Sequence, residues 1–234
     1  MSKVLVIIPA YNEQDAILAT VNAVVAAGYD YVVVNDGSKD NTLAVCRDNG
    51  LSVLDLAQNL GIGGAVQCGH KYAQRNDYDI DIQVDGDGQH DPSYISKLVA
   101  EVESGADLAI GSRFLEVNEG FQSTWLRRVG ITWFEKLLKV LTGATVTDAT
   151  SGFRACGRKA IALFADSYPT DYPEPESIAL CLERGLKVRD VPVEMRERQG
   201  GKSSIGGLSS IYYMIKVTMA ILSVALTGHE GRVK

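Results

Sequence analysis

Apolar and polar positions alternate in blocks along the first half of the chain. Val4–Ile8 is an unbroken apolar run, and Tyr31–Asn35, Ser52–Leu56, Ile80–Val84 and Leu108–Gly111 are further short runs. Such runs suit strands buried on both faces of a parallel sheet. Between them lie stretches with helical spacing. These are Gln14–Ala27, closed by Gly28 as a C-cap, about 41–49, Gly63 to about Arg75, and Pro92–Ser104, where Pro92 suits a first helical turn. Strands alternating with helices predict a βαβ series and an open, mostly parallel sheet, with ligands bound beyond the carboxyl ends of the strands.

The second half is patterned differently. Phe121–Gly143 reads as a helix carrying Trp125, Trp133 and Phe134 among Arg127, Arg128, Lys136 and Lys139. Aromatic and basic residues on such a helix suit the headgroup level of a membrane, with Leu137, Leu138 and Leu141 turned inward or toward acyl chains; a packed surface helix explains the same pattern. Leu208–Leu226 is apolar around most of its circumference. Its length is near the roughly 20 residues that span a bilayer, but Lys216 sits near its middle and serines and threonines interrupt it. A helix on a membrane face or in an oligomer interface is the expectation. With no repeat or low-complexity linker, 234 residues divide most simply into one domain over 1–207 and an apolar C-terminal helix over 208–234.

Composition narrows the class. At 46% apolar the chain is globular, and a net charge of −6 gives no reason to expect nucleic acid. Basic residues gather at Arg113 to Lys139 and again at Arg184, Lys187, Arg189, Arg196, Arg198 and Lys202. Such clusters suit phosphate or an anionic membrane face, though most basic runs are solvated surface. Cys46, Cys68, Cys156 and Cys181 form no Cys-x-x-Cys pair and Met1-Ser2-Lys3 begins no signal peptide, so reduced thiols in a cytoplasmic protein are expected and zinc is not.

The chemistry gathers where strands stop. Ile82 to Pro92 reads Ile-Gln-Val-Asp-Gly-Asp-Gly-Gln-His-Asp-Pro, so a strand ends at two carboxylates, Asp85 and Asp87, with glycine on both sides of Asp87. Glycine permits the tight, positive-φ turns that aim both carboxylates at one spot, and hard cations such as Mg²⁺ take one or two carboxylates plus substrate phosphates. Alone, the motif is also a good turn. Three further strands end likewise, in Ile8-Pro-Ala-Tyr-Asn-Glu13, Asn35-Asp-Gly-Ser38 and Gln58-Asn-Leu-Gly-Ile-Gly-Gly-Ala65. Four such turns on one edge make a site.

These motifs, in this order over about residues 3–207, resemble the family 2 glycosyltransferases, particularly the branch of dolichol-phosphate mannosyltransferase and bacterial polyprenyl-phosphate glycosyltransferases. The resemblance implies a GT-A fold, a nucleotide-diphosphate sugar donor, Mg²⁺ or Mn²⁺, and inversion at the anomeric carbon. By it, Pro9, Tyr11 and Glu13 line the nucleoside pocket, Asp36 contacts the base, and Asn59 and Gly61 form the turn beside the nucleotide. Asp85 and Asp87 correspond to the metal-binding Asp-x-Asp, with Asp85 nearer the ribose or metal and Gln89 and His90 in the same motif. Asn35 and Ile62 depart from the acidic and basic residues common there. Asp148-Ala-Thr-Ser-Gly-Phe-Arg154 resembles a segment shaping the acceptor side, with Arg154 available to a phosphate. Arg196-Glu-Arg198-Gln-Gly-Gly-Lys202-Ser203 resembles a late basic loop that clamps the diphosphate or an acceptor phosphate, Arg198 offering a planar fork and Lys202 a point charge.

A phosphate acceptor needs no base. For a sugar hydroxyl the candidate bases are Glu174 and Glu176, just before a helix, with Glu176 preferred over Glu174. The expected acceptor is lipid-linked, a polyprenyl phosphate, or a glycan hydroxyl in polysaccharide synthesis. That places the protein at the cytoplasmic face of the membrane, with a homo-oligomer open. A dehydrogenase is disfavoured because the glycines follow the third strand and lack Gly-x-Gly-x-x-Gly spacing. A sugar nucleotidyltransferase lacks its glycine-rich signature after the first strand. A non-catalytic nucleotide-sugar sensor would not need the Asp-x-Asp, and a membrane scaffold leaves the four strand ends unexplained.

Overall fold

The structure, a computed structural model, describes residues 2–115, 125–195 and 208–227. Its centre is a seven-stranded sheet of β1 (Val4–Ala10), β2 (Asp30–Asn35), β3 (Val53–Asp55), β4 (Ile80–Gln83), β5 (Leu108–Ser112), β6 (Arg154–Gly157) and β7 (Val188–Pro192), in the order β3-β2-β1-β4-β6-β5-β7. The first four strands are mutually parallel, so the four strand-end motifs share one edge as the sequence pattern predicts. β6 runs antiparallel to both β4 and β5, pairing Arg154 with Gln83 and Ile110. The segment before β6 therefore arrives at the motif edge.

Helices cover both faces. Leu5 and Ile7 of β1 join the core under α3 (Gly61–Arg75), α5 (Trp125–Thr142), α6 (Arg158–Asp166), α7 (Pro173–Glu183) and α8 (Leu208–Thr227). Val6 and Ile8 join the opposite core under α1 (Ile17–Ala26), α2 (Thr42–Asp48) and α4 (Ile95–Glu103). Successive strand residues point to opposite faces, so an unbroken apolar run is what a strand with two covered faces requires. Each such side chain contributes about 1.5–3 kcal/mol on full burial.

Several boundaries differ from the sequence expectation. α1 starts at Ile17, not Gln14, because the chain before it is tied to neighbouring loops and Asn12 takes a left-handed φ of 59°. Pro92–Ser104 divides into a 3₁₀ turn, Pro92–Tyr94, and α4; Asp91 Oδ1 accepts the Ser93 N–H at 3.0 Å to cap the turn. The hydropathy pattern gave no sign of β6, α6 or β7, and Glu174 and Glu176 lie inside the first turn of α7.

α5 and α8 lie against one another, with Trp133 Nε1 donating to Thr218 Oγ1 at 2.9 Å. Phe134 and Leu138 are buried, while Trp133, Val140, Leu141, Tyr212, Ile215 and Met219 are exposed beside the exposed Lys136 and Lys139. Among the described residues, no helix is long and apolar enough to cross a membrane.

Candidate active site

The loops after β1 and β2 hold each other by hydrogen bonds between side chains and backbone. Asn12 N–H donates to Ser38 Oγ at 3.0 Å, Lys39 N–H to Asn12 Oδ1 at 2.8 Å, and Glu13 N–H to Thr42 Oγ1 at 2.8 Å. Pro9 and Glu13 lie against the acidic turn, since a Cβ on Gly86 would meet Pro9 O at 3.1 Å and Glu13 Cγ at 3.5 Å. Tyr11 stays exposed at the mouth.

Asp36 joins the ends of β2 and β3. Its buried carboxylate accepts the Leu60 N–H at 2.7 Å, and Asn59 Nδ2 donates back to the Asp36 carbonyl at 2.9 Å. Burial raises the Asp36 carboxyl above its ordinary range, against the lowering effect of the Leu60 and Gly61 amides. Gly61 N–H donates to Asn59 Oδ1 at 3.2 Å. Gly37, at φ 66°, is required by contact as well as conformation, because a Cβ there would lie 2.8 Å from Asn59 N. Gly63 has a further reason that spacing hid: its Cβ would lie 2.1 Å from Pro169 O, so α3 packs its first turn onto the 167–171 loop. Asn35, which stands where the resemblance led one to expect an acid, donates to Asp55 Oδ1 at 2.8 Å, so its side chain is held by the end of β3.

The Asp-Gly-Asp-Gly turn follows directly from β4. Asp85 Oδ1 accepts Gln83 Nε2 at 3.0 Å, Asp87 Oδ1 accepts the Gln89 N–H at 3.0 Å, and Gly88 takes a φ of 76°. His90 stands behind the turn. Its Nδ1 accepts the Asp85 N–H at 3.0 Å, which places the proton of a neutral ring on Nε2, 3.6 Å from Asp85 Oδ2. The ring is buried and stacked on Phe153 at 4.8 Å. His90, grouped with diphosphate or acceptor contacts on sequence grounds but equally open to a structural hydrogen bond, is here buried with its ring bonded to the Asp85 backbone. Gly152 completes the wall, since a Cβ there would meet Gln83 Nε2 at 2.9 Å and both Asp85 oxygens at 3.4 Å. Two hard oxygen donors on one short turn, Asp85 partly exposed and Asp87 buried, have the chemistry for a divalent cation such as Mg²⁺ or Mn²⁺.

The acceptor side departs most from expectation. Arg154, expected to meet a phosphate, is buried; its Nε donates to Ser151 O at 2.7 Å, Nη1 to Ser177 Oγ at 2.7 Å and Nη2 to Ala149 O at 3.5 Å. Two of these bonds brace the Asp148–Arg154 segment on itself and one ties it to α7. Glu174 lies beside it. Burial raises the Glu174 carboxyl, the Arg154 charge lowers it and the Asp85 charge raises it again, leaving it above its ordinary range. Glu176, two residues on and therefore about 200° around the helix, faces the other way. It lines a cavity of about 350 Å³ with Asp171, Lys216 and Val217, and there Lys216 Nζ pairs with Asp171 Oδ2 at 2.5 Å. Of the two candidate bases, Glu174 feels the charges of Arg154 and Asp85, while Glu176 lines the cavity beside Lys216. Arg113, which sequence reasoning placed only in a basic cluster, is buried in a two-pronged pair with Asp148, Nε to Oδ2 at 2.6 Å and Nη2 to Oδ1 at 2.8 Å. Arg198, Lys202 and Ser203 lie outside the described residues.

A parallel edge bearing four glycine-rich or acidic strand ends, next to an antiparallel β6 that closes the acidic turn, defines a GT-A glycosyltransferase fold. Residues 5–164 match the model of "Glycosyl transferase family 2", and the chain belongs to that family. It is 30% identical to the polyprenol monophosphomannose synthase of Mycolicibacterium smegmatis, over 98% of this chain and 88% of that one. It is 31% identical to the undecaprenyl-phosphate mannosyltransferase of Micrococcus luteus, over 98% of each. Among solved structures, glucosyl-3-phosphoglycerate synthase of Mycobacterium tuberculosis, in complex with Mn²⁺, UDP and phosphoglyceric acid, shares the fold with a TM-score of 0.72 at 19% identity, covering 96% of this chain and 78% of that one. The protein is a glycosyltransferase.

Proposed function

We propose that this enzyme transfers a hexose, with inversion, from a nucleotide-diphosphate sugar to a polyprenyl phosphate at a membrane surface. The observation that carries the proposal is the similarity, along 98% of the chain, to two enzymes whose names specify polyprenol and undecaprenyl phosphate products or acceptors. The exposed aromatic, aliphatic and lysine face of α5 and α8 supports it, because such a face suits the headgroup region of an anionic bilayer.

In this account Tyr11 and Asp36 hold the base, Asp36 accepting a base N–H while Leu60 N–H fixes its orientation. Asp85 and Asp87 would hold Mg²⁺ or Mn²⁺, which supplies neutralising charge to the departing diphosphate. His90 and Gln83 keep Asp85 in place, and Gly152 leaves room for it. Arg198 and Lys202, with Ser203, add donors to the diphosphate or the acceptor phosphate. An ionised phosphate oxygen of the acceptor attacks the anomeric carbon from the side opposite the leaving nucleoside diphosphate, and no proton need be removed.

A second acceptor class has its own supporting observation. Glu174, raised and within range of the Asp85 charge, suits a base for a glycan hydroxyl. The test is nucleoside diphosphate release from UDP-, GDP- and dTDP-sugars with Mg²⁺ or Mn²⁺, with and without polyprenyl phosphate. Release that requires the lipid phosphate supports the proposal. Release indifferent to it, but stimulated by a glycan, transfers the case to the second class.

A further inference from the structure

The strand pairing puts three metal-ligating side chains together, far from one another in sequence and separate from the acidic turn. Asp81 on β4 and Cys156 on β6 are directly paired across the antiparallel ladder, so their side chains share a face. His70 on α3 lies above them, with Nδ1 2.7 Å from Asp81 Oδ2. All three residues are buried, and one ligand atom from each lies within 4.8 Å of the others. We propose that His70, Asp81 and Cys156 form a closed site for a borderline-soft divalent cation, Zn²⁺ in the first instance, that pins α3 to β4 and β6.

Three features of the cluster support a cation over a self-sufficient core pair. Asp81 Oδ1 is buried without a hydrogen-bond partner of ordinary geometry, an unfavourable condition for a carboxylate oxygen. The Cys156 thiol is a weak donor, so its contact with the Asp81 carboxylate answers that charge only in part. The Cys156 side chain faces Asp81 directly across the ladder, so its sulfur is placed to share a cation with that carboxylate.

Coordination changes that balance. The thiol proton is released, and a thiolate, a carboxylate and a neutral imidazole around Zn²⁺ sum to zero charge, which a dry interior tolerates. A tetrahedral zinc with bonds of about 2.0–2.3 Å sets its ligand atoms roughly 3.5 Å apart, so the His70–Asp81 pair, now at 2.7 Å, would open slightly to admit the ion. Phe164 and Tyr168 pack on His70 with ring centroids at 5.2 and 5.1 Å and exclude water. Cys181, buried on α7 and near enough for its charge to act on Cys156, is a further thiol on that side. The sequence expectation set zinc aside because the cysteines lack paired spacing; here the ligands come from a helix and two strands, which no local motif records.

The test is metal content after the full-length protein, purified from zinc-replete cells without nucleotide, is passed through chelating resin. About one zinc per chain is expected in the wild type and in Asp87→Ala, and less than a tenth of that in Cys156→Ser and His70→Ala. Zinc-edge absorption spectroscopy of the wild type, which needs no variant, should show one sulfur among nitrogen and oxygen neighbours. Zinc-free wild type, zinc lost on Asp87→Ala alone, or a shell without sulfur would overturn the proposal.

Discussion

The donor half and the acceptor half of this site are built by different means. In the acidic turn after β4, each carboxylate is set by residues close to it in sequence: Asp87 by Gln89 N–H, and Asp85 by Gln83 and His90. Around β6 and α7, the charged groups are set by partners far apart in the chain. Arg154 reaches Ser177, and Arg113 reaches Asp148. Local construction holds the two carboxylates side by side on one short turn. Long-range construction spends the charge on holding segments together. The two halves should therefore fail differently when mutated, one in turnover and the other in stability.

The sharpest contrast is Asp87 against Arg154. Asp87→Ala should lower kcat by about a thousandfold or more while the urea midpoint shifts little, because the lost group acts on the leaving diphosphate. Equal losses of stability and turnover would break the distinction. Arg154→Met should instead cost about 3 kcal/mol in urea denaturation, since it leaves Ser151 O, Ser177 Oγ and the Glu174 carboxyl without their cation. Unchanged stability with lost acceptor binding would return Arg154 to the phosphate.

Gly63 tests the seam between the halves. Gly63→Ala forces a Cβ toward Pro169 O and should cost about 1–3 kcal/mol and weaken nucleotide binding, whereas the exposed Gly28 has open space around it and should show only the strain of its φ of 84°. Equal effects at the two glycines would remove the close packing of α3 on the 167–171 loop from the account.

The smallest expected effect is that of Glu174→Gln. For a phosphate acceptor, turnover should change by less than about threefold. The variant should also alter the pH dependence of stability. The folded Glu174 carboxyl is raised by burial, so the folded chain holds this proton more tightly than the unfolded one. Its contribution to stability is present below the ordinary glutamate range and is lost as pH rises through the raised folded value. Removing that slope is the expected signature of Glu174→Gln; an unchanged slope would mean that the group is not perturbed.

The same contrast explains what the sequence disclosed. Val4–Ile8 announces a strand because both faces of β1 are buried, and Asp85, Asp87, Asp36 and Asn59 announce themselves because each sits at a strand end within a short motif. β6 was hidden because Arg-Ala-Cys-Gly is four residues long and carries a buried arginine, a residue that ordinarily marks an exposed position. The choice between Glu174 and Glu176 was equally hidden. Two residues on one helix start look alike in sequence, but half a turn sends one toward Asp85 and Arg154 and the other toward Asp171 and Lys216. The function of Gly63 emerged only once the 167–171 loop was seen against it.

The most direct test of the central claim compares two acceptors that differ only in the phosphate. Nucleoside diphosphate release would be followed with polyprenyl phosphate and with the matching polyprenol, in the wild type and in Glu174→Gln. The account predicts turnover with the phosphate in both proteins and none with the alcohol. Turnover with the alcohol that disappears in Glu174→Gln would contradict it, and would make this edge of the sheet a base-assisted site for hydroxyl acceptors.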